Sequence, residues 1–144
     1  MEKLEWNKDF ETNIRIIDEQ HQRIFALLNE IIDFCEQNLI STIETEEVID
    51  ELDNYMTLHM MLEEYYAKRY KFPGYNQLRT EHEIFKNLYK TFRYYFSRET
   101  RPKELSSGMI EHINIILAEW LKNHIFTIDK EFTVFMQDKN IEII

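Results

Sequence analysis

Residues 45–70 read TEEVIDELDNYMTLHMMLEEYYAKRY. Val48, Leu52, Tyr55, Met56, Leu62 and Tyr66 fall on one stripe at helical spacing, not in the strict alternation of a strand. Thr45 followed by Glu46 and Glu47 suits a helix start, because acids there meet the positive end of the dipole. Two residues on the apolar side should not be there: His59 lies between Met56 and Leu62, and Glu63 follows four residues later. That spacing puts both on one face, one turn apart. The stretch therefore predicts a long helix carrying polar chemistry toward a core.

The same period recurs on both sides. Ile17, Ile24, Leu28, Ile31, Ile32 and Cys35 predict a helix over about 18–38. Leu78, Phe85, Leu88, Tyr89, Phe92 and Phe96 predict one over about 76–96. Ile113, Ile116, Leu117, Trp120, Leu121 and Ile125 predict one over about 109–128. Phe72-Pro73-Gly74 is the clearest break, since Pro cannot extend a helix and Gly permits a turn. Pro102 and Gly108 bracket the next loop. Residues 1–17 form an arm that packs through Trp6, Phe10, Ile14 and Ile16. A short C-terminal helix, Phe132 to Met136, is expected across one end. Helices of this length joined by short loops are read as an all-α, up-down-up-down four-helix bundle. The 144 residues fit a single domain.

Composition narrows the function classes. Hydrophobic residues make up 44% and aromatic residues 14%, with two Gly and two Pro, which favours helices around a real core. Net charge is −10, and no Lys/Arg run stands out, so nucleic acid is not an expected partner. One cysteine, Cys35, cannot form an internal disulfide and is read as a buried inert thiol. No stretch reaches the roughly 18 apolar residues of a membrane span, and MEKLEWNKDF is not a leader, so the expected location is cytoplasmic.

The informative residues are polar ones on apolar stripes. His21 precedes Ile24 and Phe25 by one turn, His82 precedes Phe85, and His124 follows Trp120. Asp129 comes five residues after His124. Each helix thus brings one histidine inward, and two also bring a carboxylate. Imidazole with carboxylate suits iron, manganese or zinc, and Glu63 and Asp129 are the candidates to bridge two cations. Taken alone, each histidine is more often a hydrogen-bonded core residue, and His-x-x-x-Glu is common by chance. The weight comes from all six residues falling on inward stripes of four helices. His112 is a control: it lies about 18 Å along the fourth helix from His124, too far to share a cluster. Glu64 reads as a surface residue. Ferritin-like sites require Glu-x-x-His on two helices. No histidine here has Glu three residues before it. Haem between two histidines would leave Glu63 and Asp129 unexplained.

These residues resemble the hemerythrin family, its bacterial single-domain branch in particular. The resemblance runs from Trp6 through Ile17-Asp18-Glu19-Gln20-His21, His59-Met60-Met61-Leu62-Glu63-Glu64, Phe72-Pro73 and His82-Glu83-Ile84-Phe85. It ends with Trp120-Leu121-Lys122-Asn123-His124-Ile125 and Asp129. It implies a non-haem pair of iron ions that binds O2 reversibly, with no enzymatic turnover required. His21 and His59 would ligate the iron that receives O2, and His82 and His124 the other. Glu63 and Asp129 would bridge, together with an oxo or hydroxo group. Ile24, Met60, Trp120, Leu121 and Ile125 are positioned like the family's apolar O2 pocket.

One departure matters most. Leu78 stands where the family has a further histidine ligand. Met60 in place of Phe and Ala67 in place of Met are milder changes. Three outcomes stay open at Leu78. Water or a side chain such as Tyr75 or Glu81 fills the position; it stays open; or the second metal binds weakly. Two metals with a water-filled or open position is the favoured outcome. Glu81, three residues past Leu78, is expected to point away from the cluster. The leading functional reading is an O2 carrier, store or sensor, as monomer or small homo-oligomer, with another small diatomic or anion as alternative ligand. An oxidase or a peroxide- or nitric-oxide-consuming enzyme, and a metal-binding module without redox function, are the competing readings.

Overall fold

The computed structural model describes residues 3–37, 43–95 and 119–143. Helix α1 spans Arg15–Glu36, α2 Ile43–Arg69 and α3 Tyr75–Tyr95. A further helical run comprises α4 (Leu121–His124), a π-helical turn (Ile125–Asp129) and α5 (Lys130–Asp138). Among the described residues there is no strand, and the architecture is an all-α helical bundle. No helix of the described residues is long and apolar enough to cross a membrane. His112, Pro102, Gly108, Phe96, Ile113, Ile116 and Leu117 lie outside the described residues, as does the side chain of Phe92.

The α1 stripe is buried as its spacing predicts: Ile17, Ile24, Leu28, Ile31, Ile32 and Cys35 all face the core. In α2 the buried line is rotated from the predicted one. Thr45, Ile49, Leu52, Met56, His59, Met60, Glu63 and Ala67 are buried, whereas Val48, Tyr55, Leu62 and Tyr66 are half-buried. The helix begins at Ile43, so Thr45 sits inside its first turn with Glu44 and Glu46 as the dipole-facing acids. Large apolar residues alone define the predicted stripe. The real one includes small and polar residues that the neighbouring helices cover.

The break at 70–74 works differently from expectation. Lys71, not Gly74, takes the left-handed conformation (φ 57°). The Phe72 N–H donates to Ala67 O (2.8 Å) and the Lys71 N–H to Lys68 O (3.3 Å), which closes the last carbonyls of α2 in a Schellman pattern. Gly74 is needed for space: a Cβ there would lie 2.7 Å from the Phe72 ring.

The C-terminal helix is present and packs through Phe132 and Met136 with Ala67, Phe72 and Leu78 beside the α2–α3 turn. His124, Ile125, Asp129 and Lys130 all have right-handed helical dihedrals, so α5 continues the axis of α4 through the π turn. The arm is tied down by Asn29, whose Oδ1 accepts the Leu4 N–H (2.7 Å) and whose Nδ2 donates to Leu4 O (2.9 Å). Its short 3-10 turn, Lys8–Phe10, lies against the π turn. Two apolar clusters result. The larger unites α1, α2, Phe85, Tyr89, Leu121 and Ile125; the smaller holds Ala67, Phe72, Leu78, Ile128, Phe132 and Met136.

Candidate metal centre

The six sequence-predicted donors meet in one place. His21, His59, Glu63 and Asp129 form one set whose ligand atoms lie within 4.8 Å of one another, and Glu63, His82, His124 and Asp129 form a second. None is more than 3% exposed. The two carboxylates belong to both sets, and each turns one oxygen to each side. Glu63 Oε1 lies 3.1 Å from His59 Nε2, and Oε2 lies 3.1 Å from His82 Nε2. Asp129 Oδ2 lies 3.1 Å from His21 Nε2, and Oδ1 lies 2.8 Å from His124 Nε2.

The π turn makes this possible. On a regular α-helix, residues five apart sit about 140° around the axis, so His124 and Asp129 would face different directions. A π turn bonds i to i+5 and returns the fifth residue to nearly the same face. Both side chains are therefore buried at the same site. Glu63 needs no such device, because four residues separate it from His59.

The orientation of these atoms fits a cation better than hydrogen bonding. Glu63 Oε1 and Asp129 Oδ1 are buried and accept no hydrogen bond, although His59 Nε2 and His124 Nε2 are within 3.1 Å. His21 Nε2 and His59 Nε2 approach to 3.0 Å. Glu63 Oε2 and Asp129 Oδ2 are within hydrogen-bond distance of His82 and His21 Nε2, so it is Oε1 and Oδ1 that are left over. A buried acceptor left without a partner costs about 1–3 kcal/mol. A hard or borderline cation would satisfy all of them together.

Without a cation, the carboxylates and imidazoles compensate one another's charge. Burial opposes charge on Glu63 and Asp129, and their mutual repulsion adds to it for Glu63. The surrounding imidazoles outweigh both effects and hold the two carboxyls below their ordinary range, Asp129 strongly so. Burial would likewise lower His59 and His124, but the facing carboxylates raise them to about 9 and about 10. For His21, burial and the neighbouring His59 prevail and its pKa falls.

Three of the four imidazoles are oriented from behind. His59 Nδ1 lies 2.7 Å from Gln20 Oε1, His82 Nδ1 3.1 Å from Glu64 Oε2, and His124 Nδ1 3.0 Å from Glu81 Oε1. If a cation displaces the Nε2 proton, the proton that remains on Nδ1 would be donated to each oxygen and Nε2 would face the cation. Sequence reasoning missed all three partners. By its position in the sequence Glu64 reads as a surface residue, and Glu81 as one that points away. Both are about one-fifth exposed at the side chain, and they face helices that periodicity within one element cannot locate.

Leu78 is fully buried one turn before His82 and belongs to the smaller apolar cluster. Tyr75 packs at the edge of that cluster, and the Glu81 carboxylate is engaged with His124 and with Gln77 Nε2 (3.1 Å). Neither Leu78 nor Glu81 is in a donor set. Ile24, Met60, Leu121 and Ile125 are buried together in the larger cluster, with Trp120 packed against it. The Trp120 ring stacks on His124 at 4.8 Å and 11°, fixing the plane of the imidazole.

Comparison with known proteins agrees with this geometry. A family model described as the hemerythrin HHE cation binding domain matches residues 12–134. Bacteriohemerythrin of Stenotrophomonas maltophilia is 28% identical over 125 residues, covering 87% of this chain and 76% of its own. Bacteriohemerythrins of Pseudomonas aeruginosa and Pseudomonas paraeruginosa match at the same identity and coverage.

Proposed function

The chain belongs to the hemerythrin family, and from that premise we propose that it binds O2 reversibly at two iron ions held between its helices. The observation that carries the reading is the division of the two buried carboxylates, each with one oxygen toward His21 and His59 and the other toward His82 and His124. That is the disposition of bridging ligands. His21 and His59 would hold one ion and His82 and His124 the other, with an oxo or hydroxo group as a third bridge. Iron, when bound, supplies the reversible electron transfer that O2 uptake requires.

The chain's own residues do the rest. Four imidazoles and two carboxylates offset half the charge of two divalent ions. Gln20, Glu64 and Glu81 keep three of the imidazoles in the tautomer that presents Nε2. Ile24, Met60, Leu121, Ile125 and Trp120 supply an apolar wall that excludes water and so slows irreversible oxidation. The test is spectroscopic. Ferrous protein prepared without air should gain a visible charge-transfer band on exposure to O2 and lose it on deoxygenation. Immediate, irreversible conversion to the ferric form would overturn reversible carriage.

One observation favours a second reading. With Leu78 buried and apolar, the two donor sets have the same composition, so both ions would keep positions for outside ligands. That suits an oxidase or a peroxide- or nitric-oxide-consuming enzyme. It predicts repeated turnover with a reductant, slowed by Leu78→His. Unchanged turnover in that variant would count against it.

A further inference from the structure

The two donor sets match atom type for atom type, yet what stands behind them differs. Behind His59 is a neutral amide, Gln20 Oε1 at 2.7 Å. His21 Nδ1 is buried and makes no hydrogen bond. Behind His82 and His124 stand two carboxylates, Glu64 at 3.1 Å and Glu81 at 3.0 Å. We infer that Glu81 and Glu64 are positioning residues that act through His124 and His82 to make that half of the centre the tighter metal site. The inference rests on the two-metal reading above.

The physical reason is charge. An imidazole whose Nδ1–H is donated to a carboxylate gains electron density at Nε2 and becomes a stronger donor to a cation. An amide oxygen orients the ring without adding a negative charge. Among the described residues, one half of the centre is thus backed by two anions and the other by none. The asymmetry works against the loss at Leu78, which adds no donor to the same half.

The two carboxylates are not equivalent. The other oxygen of Glu64 lies 3.5 Å from Arg79 Nε, a cation that offsets part of its charge. The other oxygen of Glu81 takes a hydrogen bond from Gln77 Nε2, a neutral group. Glu81 is therefore the stronger influence, and a change there should exceed the same change at Glu64.

The experiment is a calorimetric titration with Co2+ alone, resolving two binding steps per chain, on wild type and the near-isosteric variants Glu81→Gln, Glu64→Gln and Gln20→Glu. Glu81→Gln should weaken one step about 10–100-fold and leave the other within about twofold. Glu64→Gln should weaken that same step by less. Gln20→Glu should tighten the opposite step, which a purely structural role for these residues would not produce. Helicity measured alongside keeps a folding defect apart from a binding defect, and if Glu81→Gln does not fold, Gln20→Glu decides the matter. Glu81→Gln and Glu64→Gln leaving both steps unmoved, or weakening both equally, would overturn the inference. Wild type binding fewer than two Co2+ would instead overturn the two-metal reading itself.

Discussion

On the two-metal reading, Glu63→Gln should abolish the stabilisation by both ions, not one. Its two oxygens face different histidines, each at 3.1 Å, so the substitution removes a charged ligand from each donor set. At a free-metal concentration one hundred times Kd, a bound ion adds about 2.7 kcal/mol to folding stability. Two ions add about 5 kcal/mol. For a chain of this length 1 kcal/mol moves Tm by about 3–4 °C, so metal should raise the wild-type Tm by about 15–20 °C. In Glu63→Gln that increment should nearly vanish. In His124→Ala, which strikes one set only, about half should remain. The assay is thermal unfolding by circular dichroism with Fe2+ under argon and with chelator, each variant compared with itself. Differences in metal-free stability then cancel. If Glu63→Gln keeps half the increment and one ion per chain, Glu63 is a terminal ligand and the shared-carboxylate geometry is wrong.

Other consequences of the structure are equally open to measurement. Leu78→Ala removes a fully buried side chain from the smaller apolar cluster and should cost about 3 kcal/mol, a Tm loss of about 10 °C, with metal stoichiometry unchanged; a loss under about 1 kcal/mol would refute its packing role. Gly74→Ala places a Cβ 2.7 Å from the Phe72 ring and 3.2 Å from Ile128 Cδ1, so the urea midpoint should fall by the equivalent of about 1–3 kcal/mol; an unmoved midpoint means the ring yields freely. Burial, with a smaller contribution from Glu36, pushes the Cys35 thiol from its ordinary value of 9.0 to about 11. The folded chain therefore keeps that proton when the unfolded chain has lost it. This stabilisation is full below pH 9 and is lost as pH rises toward 11. Between those values wild-type Tm should fall more steeply than that of Cys35→Ala, and iodoacetamide should react slowly at pH 8; rapid labelling would contradict the burial.

The sequence by itself determined the fold class and singled out the six candidate donors that the structure brings together. Hydrophobic period fixes the angle of each residue around its own helix, and on that basis His21, His59, Glu63, His82 and His124 stood out as polar groups on inward faces. Asp129 reads as a sixth member of those inward stripes, although its five-residue offset from His124 does not fit a regular α period. The tertiary structure resolved that conflict with the π turn Ile125–Asp129. It also decided the division of labour. Which carboxylate oxygen faces which imidazole, and that Glu64 and Glu81 stand behind His82 and His124, depend on the rotation and axial offset of one helix against another. No pattern within a single helix encodes those quantities. They follow from how side chains of several elements fill the space between them, and so they exist only once the helices are packed.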